Sequence, residues 1–529
     1  MMGEYENILH QIRAFGPFQI RIFVLVSLFE TPLAWAMLVP MFTAANPGFF
    51  CSDHSGVKGV FNSTEDDDVC QRNKSVCPEI FAHSEFTSIV TEWRLICDLD
   101  YVGELITSLQ MLGVGIGAFI TGQLADIFGR KKVLFIEYAL LLVFWFSTAF
   151  AESWEVYAAL RVIVGGLVGG CLVVNFVLPL EFVSPRWRTF CGCIGFWAVG
   201  LMTLAPWAYF IRDWRKLNIA MSCCGISLLS LWWFIDESPR WLLIKGRFKD
   251  AEEIIVRAAL FNRRPVPKLN GLQEYVRREQ MLREDRKKYS YYHLFSSVHL
   301  AVGTAICMFG WFVSSAVYYG HNFNSKNLAG DRYLNVFLSG IVEIPALLLL
   351  VLINNKLGRR WTSALYMLIS GLASFSILII HLIGDMEDLS GLTLTCALVG
   401  KSFIAGGWAA VQIFSAETFP TVIRNIGIAS CSIAARIGGI VAPQFVYLGR
   451  SSKAIPFTIF GSLALLCSLL ILVLNETRGL PLPDSLHQGK KHSRESPTQI
   501  RNLLVETKEP LNDETVLNGH HGGHGDGKL

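Results

Sequence analysis

The amino-acid sequence predicts an all-α membrane protein of twelve transmembrane helices arranged as two six-helix halves. Of its 529 residues, 52% are hydrophobic and only 17% charged, with a mean hydropathy of +0.41; soluble domains carry about 25% charged residues. The apolar residues gather in uninterrupted blocks of about 20, long enough to cross a hydrocarbon core near 30 Å. Landmarks of the first half return in the second at a near-constant offset. This composition excludes a soluble enzyme and a secreted disulfide scaffold. The net charge of +3 is scattered along the chain and gives no footprint for a nucleic-acid partner.

The predicted spans lie near 20–45, 103–124, 133–151, 156–180, 190–211, 216–235, 299–321, 334–353, 362–381, 391–416, 426–448 and 454–474. Each is expected to be helical, because lipid offers the backbone no hydrogen-bond partner and no block alternates like a barrel strand. The first span follows a polar leader, residues 1–19, and is longer than a signal-peptide core, so it reads as an uncleaved anchor.

Basic residues set the orientation. Gly129-Arg130-Lys131-Lys132, Pro185-Arg186-Trp187-Arg188, Lys356 with Arg359 and Arg360, Arg424, and the basic segment 236–298 all fall on one side of twelve spans. The opposite side receives the loop 46–102, acidic at Glu65, Asp66, Asp67 and Asp68. The organisation is therefore a cytoplasmic N-terminus (1–19), an N-terminal half (20–235), a cytoplasmic helical linker (236–298), a C-terminal half (299–476) and a disordered cytoplasmic tail (477–529). Within the linker, Lys249 to Ala259 and Glu274 to Arg286 carry amphipathic, charge-laced patterns. The loop holds four of the thirteen cysteines, Cys51, Cys70, Cys77 and Cys97, an even number that fits two disulfides, with pairing open, in an oxidising compartment. It also carries two glycosylation sequons, at Asn62 and Asn73. The other nine cysteines sit in spans and read as small buried apolar residues.

The chain reads as a duplication. Gly129-Arg130 after the second span returns as Gly358-Arg359 after the eighth, an offset of 229. Glu181 and Arg188, seven apart after the fourth span, return as Glu417 and Arg424 after the tenth, an offset of 236. Glu237 after the sixth span returns as Glu476 after the twelfth, an offset of 239. Paired repeats with a binding site at mid-membrane between them are the architecture of alternating-access carriers. Transport is thus expected before any family is considered.

The block Gly122-Gln-Leu-Ala-Asp126-Ile-Phe-Gly129-Arg130-Lys131-Lys132 is expected to make a tight turn, with Asp126 pairing a cation or a helix N-terminus on the facing half and so serving as a gate. This block resembles the signature loop of the major facilitator superfamily, and Arg161-x3-Gly165-x3-Gly169 resembles that superfamily's second motif. The second-half loop departs from the pattern, since Asn355 stands where an Asp is usual. The stretch from Asp236 through Glu237 and Arg240 to Leu243 is shared by sugar porters and by the organic cation/anion/zwitterion transporter family. Glu417-Thr-Phe-Pro-Thr-Val-Ile-Arg424, the cysteine-bearing loop, Trp311-Phe-Val-Ser-Ser-Ala-Val-Tyr318-Tyr319-Gly320 and Val342-Glu343-Ile-Pro345 favour the latter. The match runs from about Gly16 to Pro483. Tyr209 to Arg215, Trp232 to Ile235 and Phe445 to Gly449 look most like its organic cation/carnitine, or zwitterion, branch.

Charges inside spans are costly and usually functional. Glu30, Glu104, Glu137, Arg161, Glu343, Lys401 and Arg436 qualify. Glu30, Glu104 and Glu137 lie near span ends or lack an evident partner and are read as structural. Lys401 and Arg436 lie deep in the tenth and eleventh spans. In this family the position matching Arg436 is Asp in cation carriers and Arg in anion and zwitterion carriers, so the resemblance implies a carboxylate-binding guanidinium. Glu343 with Trp311 and Tyr318, seven apart on one helix face, is expected to form an opposite, ammonium-binding pole. Tyr319 carries over as a further substrate contact.

The expected function is plasma-membrane uptake of a small organic zwitterion or cation, carnitine-like or ergothioneine-like, with both termini cytoplasmic. An organic anion exchanger and a cation uniporter are the alternatives within the family, and a non-transporting sensor on the same fold is the alternative outside it. No cofactor or metal is expected beyond coupling to Na⁺ or H⁺, and membrane lipid is expected as a partner beside the solute. Gly400-Lys401-Ser402 lacks the earlier glycine of a phosphate loop, and the His-rich end, His520 to Leu529, reads as solvated disorder rather than a metal site.

Overall fold

The computed structural model describes residues 2–52, 58–59, 79–82, 85–193, 195–267, 290–328, 330–384, 389–420 and 422–478. Helical segments occupy all twelve expected places. Nine of them, among the described residues, are long and apolar enough to cross a membrane. The three that differ do so for local reasons. The third, Arg130–Thr148, carries Arg130, Lys131, Lys132 and Glu137 in its nineteen residues. The sixth passes from α-helix (Trp214–Gly225) into a 3-10 helix (Ile226–Trp233). The twelfth, Ile455–Ile471, has only 17 residues.

Two spans are broken beside a proline, and both breaks place a glutamate. The first span runs Pro17–Ser27 and then Glu30–Leu38. Its interruption falls at Leu28, the carbonyl that the ring of Pro32 crowds at i−4. The eighth runs Arg332–Ile341 and then Glu343–Leu357, interrupted at Val342, next to Ile341, whose carbonyl Pro345 crowds at i−4.

Small residues decide how closely helices approach. A Cβ on Gly113 or Gly117 of the second span would overlap carbonyl oxygens of Val162 and Gly166 on the fourth (Trp154–Leu180). In the second half, a Cβ on Gly438 of the eleventh span (Arg424–Tyr447) would overlap the carbonyl of Phe312 on the seventh (Val298–Asn324). Each half is thus a tight bundle with a close contact of its own, second span on fourth in the first half and seventh on eleventh in the second.

The halves meet chiefly toward one end, here called the loop end because the described residues 46–52, 58–59, 79–82 and 85–102 sit there. Lys326 pairs with Glu104 at 2.6 Å, and Arg450 pairs with Asp100. Ser108 donates to the Ile440 carbonyl at 2.9 Å and accepts from Gln444 at 3.0 Å. Phe42 stacks on Tyr333 at 5.6 Å. The loop contributes one feature outside the all-α expectation, a small antiparallel sheet. In it β1 (Phe49–Ser52) lies between β2 (Lys58–Gly59) and β3 (Glu79–Ala82), with Cys51 opposite Gly59 and Ile80. Cys97 is disulfide-bonded. Cys70, Cys77, Asn62 and Asn73 lie outside the described residues, as do the side chain of Cys51, the expected helix from Glu274 to Arg286 and the tail from 479.

At the opposite, turn end the linker packs on the first half through short helices, Pro239–Ile244 and Phe248–Phe261. Asn262 ties it down. Its Nδ2 donates to the Ile12 carbonyl at 2.7 Å and to Gln19 at 2.9 Å, while its Oδ1 accepts from the Phe18 N–H at 2.9 Å.

Candidate functional site between the halves

The two turns of the duplicated motif have the same construction. Gly129 and Gly358 sit at φ +106° and +100°, where a side chain would be strained. Each opens a helix whose first N–H groups point at a glutamate from the end of that half. Glu237 accepts from the N–H groups of Arg130 and Lys131 at 3.0 and 3.1 Å. Glu476 accepts from those of Arg359 and Arg360 at 2.7 and 3.1 Å. A carboxylate in this position satisfies orphan donors and complements the helix dipole. The arginine of each turn then reaches the glutamate that ends a neighbouring span: Arg130 lies 3.3 Å from Glu181, and Arg359 lies 3.1 Å from Glu417. The same two guanidiniums donate to the Ala125 and Asn354 carbonyls at 2.8 and 3.0 Å.

In this conformation Asp126 takes neither of the partners expected for it, a cation or a helix N-terminus on the facing half. It pairs with Arg130 at 2.7 Å, four residues along its own chain, and its side chain is 71% exposed. The i,i+4 spacing satisfies the carboxylate locally, so in this conformation it does not reach the facing half. Gly122 has open space around it. Arg188 pairs with Glu6 of the N-terminal helix at 3.8 Å rather than with Glu181. Tyr5 from that helix donates to the Glu181 carbonyl at 2.9 Å. Burial and Glu181 push its hydroxyl above the ordinary tyrosine range, while Arg240 and Arg188 pull the other way. Arg424 donates to the Phe419 carbonyl at 3.3 Å. The side chain of Asn355 lies outside the described residues.

Arg161 is fully buried inside the first half. It donates to Tyr157 at 2.9 Å, the Ala36 carbonyl at 3.2 Å and Asn218 at 2.9 Å, joining the first, fourth and sixth spans. Glu104 is not the unpartnered group expected from the sequence, because Lys326 of the other half neutralises it. Glu137 is buried and accepts from Thr121 at 2.5 Å.

At mid-membrane the seventh, eighth and tenth (Ser390–Thr418) spans converge on a charged pair. The Lys401 ammonium lies 2.8 Å from the Glu343 carboxylate, with side chains only 2% and 4% exposed. Lys401 also stands over the Tyr318 ring, 3.2 Å from its centroid. The Tyr318 hydroxyl donates to both Glu343 oxygens, at 2.9 and 3.2 Å, and accepts from the Trp197 indole of the first half at 2.8 Å. Trp408 meets Tyr318 and Tyr319 edge-on at 5.4 and 5.8 Å. The expectation that Glu343 and Lys401 occupy opposite poles is therefore wrong. A buried ionised carboxylate is costly without a cation, and the lysine two spans further along the chain answers this one.

Trp311, seven residues back on the same helix, donates to Ser415 at 3.0 Å and takes no part in the ion pair. Tyr319 points its hydroxyl at Met37 of the first span, 3.9 Å away. Arg436 is half-buried and packs its stem against Gly115 of the second span. Its Nε is buried without a hydrogen-bond partner, and among the described residues no carboxylate pairs with it. Trp197, Trp408 and Lys326 were missed by sequence reasoning. The only signal for them was an aromatic or charged side chain inside or beside a span, which is more often packing or an interface belt.

Duplicated halves, matched turns and a buried charged centre between them define a multi-pass membrane transporter of the major facilitator fold. Solved structures agree on the fold. The inward-open xylose transporter XylE of E. coli superposes with a TM-score of 0.59 at 16% identity, over 86% of this chain and 97% of that one. Its partially occluded inward-open form gives 0.59 at 15%, over 88% and 100%. The profile of the family described as "Sugar (and other) transporter" matches residues 60–484. Among curated proteins, the organic cation transporter protein of Drosophila melanogaster is 33% identical over 94% of this chain and 96% of its own length. The human organic cation/carnitine transporter 2 is 33% identical over 96% and 99%, and mouse solute carrier family 22 member 4 is 33% identical over 93% and 95%. The chain belongs to the organic cation/anion/zwitterion transporter family within the sugar (and other) transporters. It is a carrier, not an enzyme.

Proposed function

We propose that this carrier takes up a small trimethylammonium zwitterion, carnitine-like or ergothioneine-like, across the plasma membrane by alternating access. The observation that carries the reading is Arg436, a guanidinium at mid-membrane with no carboxylate partner among the described residues. A fixed cation of this kind disfavours a bare organic cation and offers a bidentate site to a carboxylate. The aromatic side chains of Tyr318, Tyr319 and Trp408 nearby offer apolar surface and ring faces to methylated nitrogen. The name of the human relative, an organic cation/carnitine transporter, points in the same direction.

In this reading the loop end is extracellular, with glycans on Asn62 and Asn73 and disulfides among Cys51, Cys70, Cys77 and Cys97. Both termini are cytoplasmic, as the basic turns require. The Arg130–Glu181–Glu237 and Arg359–Glu417–Glu476 clusters keep each half rigid as it rocks, and Asp126 takes a new partner when the turn ends approach. Na⁺ or H⁺ coupling would then drive accumulation.

Labelled uptake in cells expressing the chain tests this, comparing carnitine, ergothioneine, tetraethylammonium and an aromatic carboxylate, with Arg436→Asp alongside. Accumulation of a zwitterion by the wild type, lost in the variant with a gain of tetraethylammonium, is expected. Equal transport of the bare cation by both forms overturns the reading.

A further inference from the structure

The charges inside the membrane sort by whether they are already answered. Glu343 is held by Lys401, and Glu104 by Lys326. Arg161 spends its donors on Tyr157, Asn218 and a carbonyl. Glu137 is buried against Gly170, where a Cβ would overlap its carboxylate, so no solute reaches it. Two half-buried charges remain without a countercharge among the described residues, Arg436 and Glu30. Glu343 therefore lacks the free negative charge that an ammonium needs, and Lys401 already occupies a face of the Tyr318 ring.

We propose that Glu30 of the first span is the carboxylate that receives the ammonium group of the transported solute, while Arg436 receives its carboxylate. The assignment deepens the zwitterion reading above and rests on it.

The placement of Glu30 follows from helix geometry. Residues seven apart share one helix face. Within Glu30–Leu38, Glu30 therefore lies on the face of Met37, which meets the Tyr319 hydroxyl of the second half, about 10 Å nearer the turn end at 1.5 Å per residue, while its carboxylate is held by Asn175 and Trp197 of the first half. Its depth matches that of Arg436. Glu30 stands thirteen residues, about 20 Å of helix, from Pro17 at the turn end, and Arg436 twelve residues, about 18 Å, from Arg424. The two charges are thus at one level on opposite halves.

Glu30 is also held in a built setting. Its carboxylate accepts from the Asn175 amide at 3.1 Å and from the Trp197 backbone N–H at 3.1 Å. Gly195 leaves the space that a Cβ would take from Oε2. Asn175 is buried, and its Oδ1 has no hydrogen-bond partner, leaving a second acceptor beside the carboxylate. Trp197, anchored to Glu30 by its backbone and to Tyr318 by its indole, brings a ring to the same place. A carboxylate, an unspent carbonyl and an indole suit a trimethylammonium group, which offers positive charge and methyl surface but no N–H donor.

The test uses the full chain in cells, with surface amount measured for each form. The probes are a trimethylammonium zwitterion that the wild type carries and its isostere with tert-butyl in place of trimethylammonium. Glu30→Gln keeps an acceptor for Trp197 and removes the charge. It is expected to raise the KM for the zwitterion at least tenfold and to leave that of the tert-butyl isostere within twofold. Glu30→Asp is expected to restore discrimination between the two. Equal changes for both probes would make Glu30 only the cap of the fifth span and overturn the assignment, as would unchanged zwitterion uptake in Glu30→Gln. If the wild type carries no zwitterion at all, the zwitterion reading fails first, and the role of Glu30 falls with it.

Discussion

The indole N–H of Trp197, in the first half, donates to the hydroxyl of Tyr318, in the second, at 2.8 Å, and that hydroxyl donates on to Glu343 at 2.9 Å. A single chain of hydrogen bonds thus runs from one half to the buried ion pair of the other. It can persist only while the halves are closed at this level, so it biases the carrier toward the conformation described above.

Removing that bond while keeping an aromatic ring measures its share of the bias. Trp197→Phe costs one hydrogen bond, about 1 kcal/mol net, equivalent to roughly a fivefold shift of population toward the state open at the loop end. Spin labels at Tyr101 and Ser451, exposed at the loop end on opposite halves, should show a larger long-distance fraction in the variant. An unchanged distance distribution would mean that the bond follows closure without contributing to it.

The Glu343–Lys401 pair makes a prediction about folding rather than transport. Lys401→Ala leaves a carboxylate stranded at mid-membrane, a loss of about 3–5 kcal/mol for a buried pair. The double variant Lys401→Met with Glu343→Gln removes both charges, and Gln can still accept from Tyr318. Thermal unfolding in detergent should find the single variant much less stable than the double. Equal stability would show that solvent or lipid headgroups reach Glu343 and screen it.

The turn glycines differ in what they tolerate. At Gly129 a side chain meets both a backbone at φ +106° and the Glu237 carboxylate, and strain in that region costs about 1–3 kcal/mol before any clash. Gly122, in the same motif, is helical with nothing within 4 Å, so Ala there gains up to about 1 kcal/mol of helix propensity. Gly129→Ala and Gly358→Ala should both lower the melting temperature, and Gly122→Ala should not. A neutral Gly129→Ala would show that the turn relaxes at little cost.

What the sequence disclosed and what it hid divide along the distance between partners. Arg130 and Arg359, Glu181 and Glu417, Glu237 and Glu476 were legible as pairs because duplication writes each group twice in the same order. The spans were legible because lipid requires long apolar helices. The partnership of Glu343 with Lys401 was not, since the two lie on different helices and no pattern within either span says which faces meet. Charge alone suggested opposite poles, whereas the cost of burying an unpaired carboxylate brings the groups together. Asp126 is the opposite case: in this conformation its partner lies four residues along the chain, whereas the motif pointed across the molecule. Glu30 looked structural because its donors, Asn175 and the Trp197 backbone, come from other spans.

The loop-end pair Lys326–Glu104 offers the most direct control over which way the carrier faces. Its side chains are only 11% and 13% exposed, and it joins the halves at 2.6 Å. A charged hydrogen bond of this kind is worth about 1.5–3 kcal/mol, and the energy is released only when the loop end is closed. Lys326→Gln should therefore move the population toward the loop-open state by roughly tenfold or more. A cysteine placed at Gly122, in open space at the turn end, reads the shift, because its labelling by a membrane-impermeant thiol reagent added at that side should slow as the turn ends close. Reversing both charges, Lys326→Glu with Glu104→Lys, should restore the original labelling rate if attraction between the two groups is the cause. If the double reversal labels as slowly as Lys326→Gln, the pair acts through local packing with Ala44, whose carbonyl lies 3.5 Å from the same ammonium, and not through its charge.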